Sequence, residues 1–227
     1  MSVHLSNTQT TSNTERHSLD GTNRTKKLYP IAKRAVDIVL SALGLLLLAI
    51  PMALIALIIR LDSPGPAIFV HNRFGKNGKS LPLLKFRTMR VDAEQLIDSF
   101  SPEQLEEWEK SFKLSNDPRI TRIGKFLRKS SLDELPQLVN ILKGELSIVG
   151  PRPITAEELK RYGAQQEEFL SVPPGLTGYW QAYARSTCSY EKRMEMELYY
   201  VENANFWWDI KIMFATVIAV FKCQGAE

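Results

Sequence analysis

The residues with the plainest chemical potential lie between Arg128 and Pro153: Arg128 itself, the run Ser131-Leu132-Asp133-Glu134-Leu135-Pro136-Gln137, and Gly150-Pro151-Arg152-Pro153. Adjacent side chains point in different directions on any regular backbone. Asp133 can therefore face a reacting phosphorus or a metal while Glu134 handles a proton, with cations nearby, and that division of labour suggests phosphoryl chemistry. A structural use competes with it, because Ser131 followed three residues later by Glu134 has the spacing of a capping box. Pro136 argues against the box. A helix capped by Ser131 would carry this proline fifth, where its ring meets the carbonyl of Leu132; a start at Asp133 puts it third, where amides have no partner anyway. In either register the acids stand at a helix N-terminus beside free amides, a place suited to phosphate. Arg152, held between two prolines, is a planar fork that loses little freedom on gripping a phosphate.

The elements that must position these groups can be read in outline. Ala67-Ile68-Phe69-Val70 and Leu83-Leu84-Lys85-Phe86-Arg87-Thr88-Met89 suggest a hairpin over residues 67–89, turning between Gly75 and Gly78. At strand spacing Lys85 and Arg87 share a face, where two cations could grip a diphosphate or simply be solvated. Residues 91–114 read as a polar helix interrupted at Ser101-Pro102. Asp117-Pro118 supplies a cap and first-turn proline for a further helix, with Ile120, Ile123, Phe126 and Leu127 on one face and Arg119, Arg122, Lys125 and Arg128 on another. Those cations suit acidic headgroups, substrate phosphates or plain solvent. Leu135 to Leu142 continues as a helix closed by Gly144. Pro173 to Gln181 forms a second constrained loop, with Arg185 close behind.

A chain of 227 residues can bury one core of ordinary size. Its 29 basic and 25 acidic residues are too evenly balanced for a dedicated nucleic-acid binder, and no basic helix-turn-helix pattern occurs. Cys188 and Cys223 lack metal-ligand spacing, and the three histidines are dispersed, so a reducing cytosolic face fits. Residues 1–30 form a polar leader whose composition predicts disorder. Residues 31–60 form a membrane helix, with 22 uncharged residues from Ile38 to Ile59, enough to cross about 30 Å of hydrocarbon. Pro51 lies inside that run and basic residues flank both ends, so the positive-inside tendency pulls both ends to the cytoplasm. A re-entrant hairpin broken near Pro51 and a kinked single span both remain open. Residues 61–227 form the cytoplasmic body. It ends in Asn205 to Lys222, whose paired tryptophans suit either a membrane interface or packing on the core. The fold class expected is α+β: a re-entrant membrane helix, a mostly helical body with a small β-hairpin, and interfacial amphipathic helices.

The motifs taken together resemble those of the bacterial sugar transferases, the small monotopic phosphoglycosyl transferases. The matching signatures are Asn72-Arg73-Phe74-Gly75, Lys85 to Met89, Asn116-Asp117-Pro118-Arg119, Arg128 with Ser131 to Gln137, Gly150 to Pro153 and Pro174 to Gln181; the likeness covers roughly residues 31–222. The resemblance is nearest to members that begin exopolysaccharide repeat units. It implies transfer of a hexose 1-phosphate from a UDP-sugar, UDP-glucose or UDP-galactose, to undecaprenyl phosphate with release of UMP, at the cytoplasmic face of the bacterial inner membrane. It further implies that Asp133 is the nucleophile of a phosphosugar-aspartyl intermediate, that Glu134 assists the acceptor phosphate, and that Mg2+ at Asp133 neutralises phosphate oxygens. Lys85, Arg87, Arg128, Arg152, Gln181 and Arg185 become the expected substrate ligands, membrane lipids a partner, and Pro51 the membrane break. Oligomeric state stays open, a homodimer included.

The chain departs from the family pattern twice. Ile50-Pro51 replaces a common Ser-Pro at the break, and Glu197 stands where the family often has an aspartate, leaving its metal or structural role open. A non-catalytic, membrane-tethered assembly factor of the polysaccharide machinery is the competing expectation.

Overall fold

The computed structural model describes the backbone of residues 8–111, 114, 117–184 and 188–221, and side chains over 28–108, 114, 117–184 and 188–219. A single helix, α1 (Thr8–Asp62), dominates the N-terminal part. It runs unbroken through Pro30 and Pro51, so the helix has no boundary at residue 30 and no break at Pro51. Each proline removes one intrahelical bond, which a long helix held along its flank can tolerate. Residues 1–7 of the polar leader lie outside the described residues.

The flank of α1 that faces the body repeats at three and four residues, the helical period. Asp37 and Ser41 are buried; Gly44 lies against Leu138; Met52, Ile55, Ala56 and Ile59 pack with Ala67, Phe86 and Leu127. The opposite flank exposes Leu40, Leu43, Leu46, Leu47, Ile50, Leu54, Leu57, Ile58 and Leu61. The inward flank is thus polar and small from Asp37 to Gly44 and apolar from Met52 to Ile59, while the outward flank carries large apolar residues throughout, unlike a helix on a water-soluble protein.

Both ends of this helix are fastened to the same body. Near its N-terminal side, Lys33 Nζ lies 2.7 Å from Asp209 Oδ2, and Arg34 donates to the carbonyls of Ile141 at 2.6 Å and Leu142 at 2.8 Å. Asp37 Oδ1 accepts from the Ile148 amide at 2.9 Å. At the far end, Arg87 donates to the carbonyls of Ser63 and Ile59 and to that of Pro64.

The expected hairpin is present: β1 (Ile68–Phe74) pairs antiparallel with β2 (Ser80–Phe86), from Ile68 opposite Phe86 to Phe74 opposite Ser80. After a short 3-10 turn at Gln95–Ser99, α2 (Pro102–Ser111) occupies the segment expected to be helical. The next helix starts later than Asp117-Pro118 would suggest. Asp117 forms a buried ion pair with Arg119 at 2.6 Å, and α3 (Arg122–Ser130) is capped by Thr121, whose side chain accepts from the Gly124 amide. The proposed cationic face of this helix is divided accordingly. Arg119 stacks on Trp108 at 4.2 Å and Phe100 at 5.2 Å, which docks α2, while Arg122 and Lys125 remain outside. Phe126, expected inside, is 58% exposed.

Beyond α4 (Gln137–Lys143) comes β3 (Ser147–Val149), then α5 (Ala156–Lys160), α6 (Gln166–Phe169), β4 (Gly175–Thr177), α7 (Tyr179–Tyr183), α8 (Tyr190–Asn203) and α9 (Phe206–Phe221). Strands β3 and β4 form a second, parallel pair, Ser147 opposite Gly175 and Val149 opposite Thr177. Any Cβ at Gly150 or Gly175 would collide with backbone across this pair. Glycine is required there because two loops cross at van der Waals distance.

Candidate active site

Helix α3 ends with Ser131 in the left-handed conformation (φ 57°), which swings the chain into a 3-10 turn, Leu132–Glu134. The Ser131 side chain caps nothing, so the capping-box alternative fails. Pro136 stands immediately before α4. Leu132 and Leu135 pack against the cluster of Ile59, Phe86 and Leu127, which anchors the turn on either side of the two acids. Asp133 is 9% exposed and Glu134 is half-buried.

Lys85, from the middle of the hairpin, straddles the pair: its Nζ is 2.8 Å from Glu134 Oε1 and 3.9 Å from Asp133 Oδ2. The acids are driven apart in titration. Burial pushes the Asp133 carboxyl above its ordinary range against the pull of Lys85 and Arg128. Burial also acts on Glu134, but Lys85, Arg152 and hydrogen bonds outweigh it and hold that carboxyl low. Two neighbouring acids with opposed shifts are suited to separate roles in one reaction.

Arg128 reaches the same turn from α3. Its Nε donates to Thr88 Oγ1 at 3.0 Å, and its charge bears on Asp133. Arg152 arrives from the loop after β3, held through its backbone amide by Glu197 Oε1 at 3.2 Å. Among the described residues the Arg152 guanidinium has no hydrogen-bonded or ion-paired partner; its recorded contact is the Trp180 ring, 6.0 Å away. A half-buried cation left unpaired beside a carboxylate dyad is a ready anion ligand.

The other expected ligands divide. Arg87 does not share the Lys85 side of the site. It is 6% exposed and bonds the chain just past α1 through Ser63 and Pro64, because the strand ends at Phe86. Gln181 is half-buried in α7, one residue beyond Trp180. Arg185 lies outside the described residues, and Pro51 is within α1.

Sequence reading missed a second ring of residues. Phe69 pairs with Lys85 in the hairpin register, so the period of two along β1 brings His71 and Arg73 to the Lys85 face. Arg73 Nη1 lies 2.8 Å from Glu158 Oε2, and Glu158 Oε1 is 3.4 Å from Arg193 Nη1. Glu197, 2% exposed, accepts from Arg193 Nε at 3.4 Å and from the Tyr162 hydroxyl. Its longer side chain therefore braces the Arg152 loop, and both its oxygens are engaged with protein donors. The sequence had put Arg73 in the Asn72-Arg73-Phe74-Gly75 signature and singled out Glu197, and the shared strand parity of His71, Arg73 and Lys85 was a further signal; what it did not show is that these residues join in one ring.

Among the described residues no three carboxylate, imidazole or thiol groups come together as a metal cage. The dyad nevertheless fits magnesium, which takes oxygen ligands and is commonly held by one or two carboxylates plus substrate phosphates. Asp133 is the available ligand, since Glu134 is engaged by Lys85.

Residues 28–223 match the family profile described as bacterial sugar transferase. An uncharacterized sugar transferase of Haemophilus influenzae is 45% identical over 90% of this chain and 44% of its own length. The undecaprenyl-phosphate galactose phosphotransferase of Salmonella typhimurium is 42% identical over 90% of this chain and 43% of its own length. The exopolysaccharide production protein ExoY of Rhizobium meliloti is 39% identical over 90% of this chain and 92% of its own length. The chain thus spans less than half the length of the first two relatives and nine-tenths of the third.

Proposed function

The chain belongs to the bacterial sugar transferase family, and from that premise we propose that it moves a hexose 1-phosphate from a UDP-sugar to undecaprenyl phosphate, releasing UMP. The observation that carries the reading is the buried Asp133 beside a half-buried Glu134, with Lys85 between them and the unpaired Arg152 guanidinium close by. The relative named as an undecaprenyl-phosphate galactose phosphotransferase supports the acceptor and the transfer of a phosphorylated hexose, and that named for exopolysaccharide production supports a role in making such a polymer.

In this reading an Asp133 carboxylate oxygen attacks the phosphorus bearing the sugar, and the bond from that phosphorus to the UMP oxygen breaks. An oxygen of undecaprenyl phosphate then attacks the same phosphorus, assisted by Glu134, and the carboxylate leaves. Two displacements at one phosphorus replace a direct encounter of two anionic substrates. Lys85 and Arg128 hold the Asp133 charge near the reacting centre, and Arg152 binds the phosphate of the departing nucleotide. Magnesium, held by Asp133 together with substrate phosphates, would screen the repulsion between the carboxylate and the diphosphate. The apolar flank of α1 sits in the inner membrane from its cytoplasmic side, which puts the dyad within reach of a lipid phosphate and a soluble nucleotide sugar.

Two measurements on the purified protein test this. Catalytic turnover, read as UMP release beyond one equivalent per enzyme, should require a UDP-sugar, undecaprenyl phosphate and magnesium, and all release should vanish in Asp133→Asn. With donor alone, intact-protein mass spectrometry should detect a hexose-phosphate adduct on the wild type and none on Asp133→Asn. Folded wild type that releases no UMP from any UDP-hexose would favour a non-catalytic assembly role.

A further inference from the structure

The second ring around the dyad has a feature that the transfer reaction does not yet use. Trp180, half-buried at the start of α7, has two guanidinium groups near its ring: Arg193 Cζ is 4.8 Å from the ring centroid and Arg152 Cζ is 6.0 Å. The indole nitrogen donates to Cys188 Sγ at 3.0 Å, which ties the ring to the segment leading into α8. Arg193 is 8% exposed and is itself fixed by Glu158 and Glu197. Two anions oppose three cations here, Arg73, Arg152 and Arg193, so the ring of charges is positive by one before Arg161 is counted. It also contains three buried donors, Arg193 Nη2, Arg73 Nε and the Tyr190 hydroxyl, that have no hydrogen-bond partner among the described residues. Tyr190 borders the same group, with Arg193 at 5.1 Å and Arg161 at 4.5 Å from its ring. Buried donors are normally paired, and a cluster that leaves several unpaired and keeps an excess of positive charge suits a polar, anionic ligand.

We propose that the Trp180 indole, stacked on Arg193 and bordered by Arg152, is the seat of the pyrimidine base of the sugar nucleotide. The assignment rests on the transfer reading above and extends it to the nucleotide half of the donor. Two observations favour that ligand. An unpaired arginine next to an aromatic platform reproduces the order of a nucleotide, phosphate and then base. The polyprenyl chain is an unsuitable occupant, because the side chains against the Trp180 ring are the guanidinium groups of Arg152 and Arg193, whereas exposed leucine and isoleucine side chains crowd the outer flank of α1. Arg193 acts here as a positioning residue: it holds the indole, and the indole touches the base.

The test uses the full chain in detergent, with UMP as the probe in calorimetric titrations and steady-state kinetics run alongside. Stacking on one aromatic ring corresponds to about a ten- to hundredfold change in affinity. Trp180→Ala should weaken UMP binding by that factor and raise the KM for the UDP-sugar in step. The KM for undecaprenyl phosphate should stay within about twofold. Trp180→Phe, which keeps a stacking face and loses the bond to Cys188, should recover most of the affinity; Arg193→Met should fall between wild type and Trp180→Ala. Unchanged UMP affinity in Trp180→Ala overturns the proposal. So does a loss that Trp180→Phe fails to restore, since it would trace to the Cys188 bond and local packing. Wild type that binds UMP in a Trp180-dependent way without turnover would sink the transfer reading and leave the seat standing. Turnover by the wild type with a UDP-sugar KM indifferent to Trp180 would do the opposite.

Discussion

His71 shows how a single side chain records the charge around the dyad. Burial, and then Arg73, Lys85 and Arg152, push its imidazole from the ordinary 6.5 down to about 4. Between those values the unfolded chain binds a proton that the folded protein refuses, so stability falls as pH drops through this window. His71→Gln should flatten that slope between pH 6.5 and 4, measured as thermal midpoints in detergent across the range; an unaltered slope would show that His71 does not sense the cations. Lys85 and Arg87 make a second contrast, two residues apart with opposite duties. Lys85→Met leaves two adjacent carboxylates without their shared cation and should lower kcat/KM on the order of a hundredfold with the fold retained. Arg87→Ala removes the donor that holds the chain after Asp62 and should cost roughly 2–4 kcal/mol of stability. Its kcat/KM, measured well below the lowered melting temperature, should stay near that of the wild type. The dyad and Arg152 were legible from the sequence because residue type and local rigidity alone mark them. The division between Lys85 and Arg87 was not, since it depends on where the strand ends and on the carbonyls that α1 brings to Arg87.

At the scale of elements, α1 carries the clearest instruction. Its inward positions Asp37, Ser41, Gly44, Met52, Ile55 and Ile59 follow the helical period, and this polar-to-apolar stripe was present in the sequence as a pattern inside an otherwise apolar run. It went unread because hydropathy averages over all faces of a helix and hides a buried polar one. Asp37 does a particular job: β3 has a strand neighbour on one side, and on its other edge the Ile148 amide finds the Asp37 carboxylate as its acceptor. Asp37→Ala would leave that amide buried and unpaired, at about 1–3 kcal/mol, whereas Asp37→Asn keeps an acceptor and should behave close to wild type. Gly44→Leu probes the same seam by volume, because even a Cβ there would stand 3.1 Å from Leu138 Cδ1, and overpacking costs about 1–3 kcal/mol. Thermal unfolding in detergent should rank Asp37→Asn above both Asp37→Ala and Gly44→Leu. Equal stability for all three would mean that this flank is not packed against the body. The hairpin was legible by contrast, since turn glycines and strand residues are local signals, while the parallel pairing of β3 with β4 joins segments about 28 residues apart and leaves no period to read.

For the whole molecule the decisive fact is that one body holds both ends of the apolar stretch of α1, at Lys33 and at Ile59. From Lys33 to Ile59 the helix is about 39 Å long at 1.5 Å per residue, longer than the hydrocarbon core of about 30 Å. A helix that crossed would place its two anchorages in opposite aqueous phases. Yet Lys33 and Arg34 bond α9 and the end of α4, and Ile59 is packed with Phe86 of the hairpin and Leu127 of α3. Crossing would therefore pull the charged body, dyad included, into hydrocarbon, at a cost of several kcal/mol for each charge left unpaired. The transfer reading proposed above accordingly calls for attachment from one side, with the outer leucine and isoleucine flank immersed and the active site at the headgroup level. The re-entrant expectation and this proposed arrangement call for the same sidedness, the latter from the packing of α1 on the body and the former from a break at Pro51. Single cysteines at Leu28 and Arg60, in a chain with Cys188 and Cys223 replaced by serine, decide the matter with a membrane-impermeant maleimide. In inside-out vesicles both positions should label, and in right-side-out vesicles neither should. Labelling of one position in each orientation would establish a crossing helix and would require the contacts of either Lys33 or Ile59 with the body to be broken in the membrane.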